Sequence, residues 1–233
     1  MRVDVAFTPD ESGAAPSGIV IDVIRATSTI AQAFASGYQH VFCAAEVEGA
    51  RSLREELGGG LLGGERKAVR IPGFDFGNSP REYLDARDET LVLTTTNGTR
   101  AVVSAAARCE RVFLGSLLNL AAVVEEVRSA GDDAIVVCAG VEGTLALDDA
   151  YVAGRIVELL RWERTDASEA AARLAGTWDG GAEEAFRASK SGRNLLENAP
   201  ELEDDIAFCA RESVLDVVPH LVAMRNGAAE IGV

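Results

Sequence analysis

Residues 18–29 read Gly18-Ile-Val-Ile-Asp-Val-Ile-Arg-Ala-Thr-Ser-Thr29, a nearly unbroken run of β-branched aliphatic side chains that ends in a polar turn. Branched side chains favour extended backbone, and a run without alternation leaves no face for water. The stretch therefore predicts a strand over 18–23 buried on both sides, followed by a helix over 28–36. The same rhythm recurs in both directions. Further strands are predicted at 3–7, 40–44, 61–63, 90–95, 111–114 and 134–138, and helices at 47–57, 99–107, 118–130 and 148–162. Short β-rich runs alternating with helical patterns make a sheet covered by helices, so the class is α/β.

Two regions break the rhythm. Residues 64–80 hold glycines, prolines and charges in a stretch too irregular for either element, and are expected to be an excursion loop at the end of a strand, where α/β sheets carry their sites. Beyond Trp162 the chain turns charge-rich, with helices expected at 169–174, 182–190 and 203–212. The span 163–212 reads as a helical subdomain or lid within one domain of 233 residues. Residues 214–222, which contain Pro219, are expected to form an edge strand.

Apolar residues make up close to half of the chain, enough to bury one substantial core. The net charge of -15, from 37 acidic and 22 basic residues, opposes binding to nucleic acid or an anionic membrane. An anionic substrate would need a local positive site against that background. The opening residues contain no long apolar run and read as the start of the domain, and no stretch has the roughly 20 apolar residues of a membrane span. Cys43, Cys109, Cys138 and Cys209 lie far apart without metal-ligand spacing, as in a reduced, cytoplasmic protein. A homo-oligomer stays open.

Four motifs carry candidate chemistry, all at expected strand ends. The first delivers Asp22, Arg25, Thr27 and Ser28 to one turn, where a carboxylate suits a cation while a guanidinium and a helix N-terminus suit an anion. Its structural alternative is an Asp22–Arg25 ion pair with Thr27 or Ser28 as N-cap. The second, Gly63-Gly-Glu-Arg-Lys67 with Pro72-Gly-Phe-Asp-Phe-Gly-Asn-Ser-Pro80, offers Glu65, Arg66 and Asn78; Lys67 and Asp75 read better as solvated loop residues, and Ser79 as the cap of a helix beginning at Pro80. The third, Leu93-Thr-Thr-Thr-Asn-Gly-Thr-Arg100, sets Thr95, Thr96, Asn97 and Thr99 around the free amides of Gly98, a neutral anion cradle. The fourth, Val137-Cys-Ala-Gly-Val-Glu-Gly-Thr144 before Asp148-Asp149, lets backbone approach a ligand at Gly140. Of its two acids, one is expected to compensate the helix dipole and the other to reach a metal or a catalytic water.

Residue types remove several phosphatase chemistries. No cysteine is followed by the arginine of a C-x5-R loop, His40 and His220 stand apart, and Asp22 lacks a second aspartate two positions on. What remains is carboxylate-held metal with arginine and hydroxyl support, chemistry appropriate to magnesium. A non-catalytic anion-binding or regulatory module on the same scaffold is the rival reading. Carboxylates beside the anion argue against it, because without a metal they would repel the ligand.

Together, Ile21-Asp-Val-Ile-Arg-Ala-Thr-Ser28, Gly63-Gly-Glu-Arg-Lys67, Gly73-Phe-Asp-Phe-Gly-Asn-Ser-Pro80, Thr94-Thr-Thr-Asn-Gly-Thr-Arg100 and Ala139-Gly with Asp148-Asp149, in this order, resemble the 2-phosphosulfolactate phosphatase family of coenzyme M biosynthesis. The resemblance implies a three-layer α/β/α fold around a mostly parallel or mixed sheet. It also implies Mg2+-dependent hydrolysis of a small anionic phosphorylated substrate, 2-phospho-3-sulfolactate, to 3-sulfolactate and phosphate. That substrate carries about four negative charges near neutral pH. Arg25, Arg66 and Arg100 are candidates to compensate them, with a cation on Asp22, Glu65 or Asp148 and with Asp149 near the reacting water. Attack by metal-activated water is preferred to a phosphoenzyme because Asp22 is then engaged as a ligand.

Overall fold

Strands and helices alternate where the apolar runs and their polar turns place them. A computed structural model describes all 233 residues. Its strands are β1 (Arg2–Ala6), β2 (Ala15–Ile21), β3 (His40–Cys43), β4 (Leu61–Arg66), β5 (Val69–Arg70), β6 (Thr90–Thr94), β7 (Cys109–Gly115), β8 (Ala134–Cys138), β9 (Glu163–Arg164), β10 (His220–Arg225) and β11 (Ala228–Gly232). Its helices are α1 (Ala26–Ala35), α2 (Val47–Glu56), α3 (Gly98–Ala106), α4 (Leu120–Ala130), α5 (Leu147–Leu160), α6 (Asp166–Ala175), α7 (Gly181–Ala188), α8 (Lys190–Asn198) and α9 (Asp204–Cys209). Short 3-10 turns add to these, one of them at Pro80–Tyr83.

One mixed sheet runs in the order β5-β4-β6-β3-β11-β10-β7-β2-β8-β1-β9. β4, β6 and β3 are parallel, as are β7, β2, β8, β1 and β9. Between these blocks lies the β10–β11 hairpin, antiparallel to β3 on one side and to β7 on the other. Three antiparallel steps reverse direction, so along the sheet the two blocks point opposite ways.

Both faces of the second block are covered. Ile19 and Ile21 of β2 join Val136 of β8 and Val123, Val127, Val152 and Ile156 of α4 and α5 in one core, while Val20 and Val137 turn to the other face and meet Ile30 of α1 and Val102 of α3. That is the α/β/α layering expected from the unbroken apolar run. The second core also takes in Val41 of β3 with Leu91 and Leu93 of β6. The sheet therefore coils about α1, whose residues from Ala26 to Phe34 are all buried. Coiling brings the carboxyl ends of the opposed blocks to one place.

Several boundaries differ from expectation for local reasons. β4 continues past Gly63 through Glu65 and Arg66 because residues 69–70 turn back and pair with it. Residues 214–219 are irregular, and the strand begins only at His220, inside the sheet and not at an edge. Its partner β11 follows an Asn226-Gly227 turn in which both residues have positive φ, at 49° and 82°, the geometry of a tight primed hairpin. Within 163–212 an additional helix, α8, forms behind the Ser189 cap, whose hydroxyl accepts from Gly192 N. Ala171, Phe186, Leu195 and Ile206 of α6 to α9 belong to the same core as β1, β2 and β8.

Candidate active site

A cavity of about 330 Å³ opens where the chain leaves β2, β4, β6 and β8. At the end of β2 the hydroxyls build the turn. Asp22 N donates to Thr27 Oγ1 (3.2 Å), Thr27 Oγ1 donates back to Asp22 O (3.0 Å), and Ser28 Oγ donates to Val23 O (2.8 Å). Thr27 and Ser28 thus hold backbone and do not line the cavity. Asp22 lines it with only 8% of its surface exposed. Its carboxylate receives one long hydrogen bond, 3.4 Å from Ala26 N to Oδ1. Burial, then the Glu65 and Asp148 carboxylates, push its pKa up to about 7.

Arg25 does not pair with Asp22. Its Nη1 donates to Asp205 Oδ2 of α9 at 2.8 Å and its Nη2 to Ala68 O at 3.0 Å. Arg25 is 3% exposed and Asp205 fully buried, and Asp205 also accepts from Ser79 Oγ at 2.7 Å. The Ser79 hydroxyl therefore fixes α9 and does not cap the turn at Pro80. Removing one partner of so buried a pair typically costs about 3–5 kcal/mol, since the other charge is stranded.

At the end of β4 the carboxylate is fully engaged. Glu65 Oε2 accepts from Ala68 N (2.8 Å), and Oε1 accepts from both Thr96 N (3.0 Å) and Thr96 Oγ1 (2.9 Å). Arg66 turns away from the cavity and donates to Glu65 O and Thr94 Oγ1 at 2.7 and 3.1 Å. Lys67 takes the place expected of Arg66 in the cavity wall. Asp75 ties its own turn through Leu62 N at 2.8 Å. Asn78 lines the cavity at 3% exposure, and its Oδ1 is buried without a partner.

At the end of β6, Thr96 and Asn97 line the cavity, and α3 begins at Gly98. A Cβ on Gly98 would lie 2.6 Å from Ala26 Cβ and 2.8 Å from Asp22 Oδ2, so only glycine lets the first turn of α3 come against the β2 turn. Thr95 and Thr99 are buried behind that turn, Thr95 Oγ1 without a partner. Arg100 is exposed and outside the cavity.

After β8, Gly140 lines the cavity and donates its N–H to Asp149 Oδ2 at 3.1 Å; Val23 N donates to Asp149 Oδ1 at 2.9 Å. Asp149 thereby joins the β2 and β8 turns, and burial with Asp148 and Asp22 nearby raises its pKa well above the usual range. Asp148 does not reach the cavity wall. It accepts from Ser191 Oγ at 3.0 Å, its Oδ2 is buried without a partner, and burial pushes its pKa up to about 6. The far wall is α8, tied down by the Ser191–Asp148 bond and by an ion pair of Lys190 with Glu142.

Of the residues expected from sequence, Asp22, Arg25, Glu65, Asn78, Thr96, Asn97, Gly140 and Asp149 share this cavity. Arg66, Thr27, Ser28, Thr95, Gly98, Thr99 and Asp148 support it from outside. Sequence reasoning missed Asp205, which nothing local distinguishes from its acidic neighbours Glu203 and Asp204, and the whole face of α8. Lys67 did carry a signal, its place two residues after Glu65 in the same motif.

The donor set suits magnesium. No three acidic, histidine or cysteine side chains come together as a ready cage, but magnesium keeps much of its water and takes only one or two protein carboxylates. Asp22 supplies a carboxylate without strong hydrogen bonds. The cavity presents four carboxylates, on Asp22, Glu65, Glu142 and Asp149, against two cations, on Arg25 and Lys67.

Comparison with known proteins agrees with the motifs. The profile of the family described as 2-phosphosulpholactate phosphatase matches residues 6–224. Three relatives, each named probable 2-phosphosulfolactate phosphatase, align over nearly the full length. That of Thermotoga petrophila is 39% identical over 94% of this chain and 95% of its own, and that of Carboxydothermus hydrogenoformans 33% identical over 94% and 92%. The third, from Symbiobacterium thermophilum, is 38% identical over 92% and 95%. A match of this extent, on a chain whose matching motifs meet at one cavity, places the protein in the 2-phosphosulpholactate phosphatase family.

Proposed function

We propose that this protein hydrolyses 2-phospho-3-sulfolactate to 3-sulfolactate and inorganic phosphate, with a magnesium ion held by Asp22. The observation that supports this best is the charge inventory of the cavity. A substrate with about four negative charges enters a wall with more carboxylates than cations, which becomes favourable when a divalent cation offsets both. A pure anion-binding module would have no use for the Asp22 carboxylate. Bound there, magnesium would polarise the phosphoryl oxygens and lower the pKa of a bound water.

The chain's own residues supply position and charge. Arg25, fixed by Asp205, and Lys67 attract the substrate's oxyanions. The first turn of α3, seated against Asp22 by Gly98, directs its free amides and the positive end of its dipole toward bound phosphate. Glu65 holds the 65–68 turn against Thr96, while Asp149 holds the amides of Val23 and Gly140, so the walls are set before substrate arrives. The free cysteines suit a reducing cytoplasm, and no helix is long and apolar enough to cross a membrane.

The test is phosphate release from 2-phospho-3-sulfolactate by metal-stripped protein, with magnesium added back. Activity should be lost on stripping and return with magnesium. Full turnover in excess chelator would remove the metal from the reaction, and no turnover in either condition would remove the substrate.

A further inference from the structure

Four of the chain's six asparagines, Asn78, Asn97, Asn194 and Asn198, line the cavity. An amide donates hydrogen bonds to an oxyanion without adding charge. Two of the four come from α8, where Ser191, Asn194, Leu195 and Asn198 follow the spacing of a single helical face. On that face Leu195 is buried in the core, Ser191 donates to Asp148 at 3.0 Å, and Asn198 donates to Asn194 O at 2.7 Å. Asn194 is half-buried, and its side-chain amide makes no hydrogen bond to the protein. It is the unengaged polar group of the α8 wall.

We propose that Asn194 is a specificity-determining residue whose amide receives the substrate's sulfonate. This rests on the proposed reaction. The three oxyanions of the substrate differ in basicity. The phosphate needs metal and cations, and the carboxylate is a compact base suited to a lysine or an arginine. A sulfonate spreads one charge over three weakly basic oxygens and gains little from a cation whose partner is already a carboxylate, as Arg25's is. Neutral N–H donors suit it, and Asn194 brings one to the cavity from α8, an element separate from the β4 and β6 turns where Glu65 and Thr96 meet. Ser191, Lys190 and the Ser189 cap hold α8 in place without drawing on the Asn194 side chain.

The test compares ligands that differ only in the sulfonate. Calorimetry at fixed magnesium measures 3-sulfolactate against lactate, and kinetics measure 2-phospho-3-sulfolactate against 2-phospholactate, for wild type, Asn194→Asp and Asn194→Ala. Wild type should prefer the sulfonated member of each pair by roughly tenfold or more, the usual effect of a hydrogen bond to a charged group. Both variants should lose that preference, and Asn194→Asp, which sets a carboxylate against the sulfonate, should reverse it. A preference that survives in both variants overturns the assignment, as does a wild type without one. Binding separates this inference from the reaction itself: protein that prefers 3-sulfolactate through Asn194 yet releases no phosphate would refute the reaction and uphold the subsite.

Discussion

The turns after β2 and β4 present the same chemistry on paper: an acid followed closely by an arginine at the end of a buried strand. In the folded protein they differ in kind. Glu65 accepts three hydrogen bonds at 2.8 to 3.0 Å, and Arg66 is engaged with two carbonyls and a hydroxyl. Asp22 accepts one at 3.4 Å, and Arg25 is held for the cavity by an aspartate from α9. A buried carboxylate with its lone pairs filled is a piece of architecture, whereas one left nearly bare faces other acids and demands a cation or a proton. Which carboxylate in this cavity is free to take a ligand follows from its hydrogen bonds and not from residue type.

Paired substitution should produce the largest contrast. Asp22→Asn keeps size and removes the charge proposed to hold magnesium, so turnover should fall by roughly a thousandfold or more while the fold persists. Glu65→Gln exchanges one acceptor for an amide that faces a backbone N–H, so it should mainly lower stability, by about 1–3 kcal/mol, with a far smaller loss of turnover. Steady-state kinetics and thermal unfolding on both variants would decide. Equal loss of turnover would erase the distinction between the turns.

Acidity gives an intermediate effect. Asp22 ionises near its usual 3.8 when unfolded and near 7 when folded. Between those values the folded protein keeps a proton that the unfolded chain releases, so this group's stabilisation is complete below about pH 4 and is lost as pH rises through 7. Without metal, Asp22→Asn should therefore be more stable than wild type at pH 8, on the order of 4 kcal/mol, and the gap should close toward pH 4. Magnesium should restore wild type alone. Parallel melting curves for the two proteins across that range would contradict the raised pKa.

The smallest effect is expected at Arg66. Its contacts are two carbonyls and a hydroxyl outside the cavity, so Arg66→Lys should change KM less than about threefold and stability by about 1 kcal/mol. A large rise in KM would bring Arg66 into the substrate site and make the two turns alike after all.

Local pattern carried the reading of β2, β8 and the helices after them, because continuous apolar runs and hydroxyl-rich turns act over a few residues. It carried the gathering of turns within each parallel block as well, since a parallel sheet collects the ends of its strands, but the meeting of the two opposed blocks depends on the coiling of the sheet. Arg25's partner stayed hidden. Asp205 lies 180 positions away in sequence, in a short helix with acidic neighbours, and only packing selects it. The α8 sequence Lys190-Ser-Gly-Arg-Asn194 is too polar and contains a glycine, so its helix depends on the Ser189 cap and on Leu195 reaching the core. Local pattern missed the β10–β11 hairpin and predicts only an edge strand over 214–222; the Asn226-Gly227 dipeptide signals the turn, but register along one ribbon says nothing of which strands it will join.

That hairpin also decides whether the sheet is one ladder or two. β11 is the last strand in sequence and the only bridge from β3 to β10, while β10 in turn reaches β7. Without the hairpin the sheet would be two separate blocks, with the facing edges of β3 and β7 bare. Such edges are templates for pairing with other chains. Without residues 220–232 the β4 and β6 turns and the β2 and β8 turns would sit on half-sheets with no ladder between them, so a chain cut before His220 should keep its motifs, lose the cavity they share and present open strand edges.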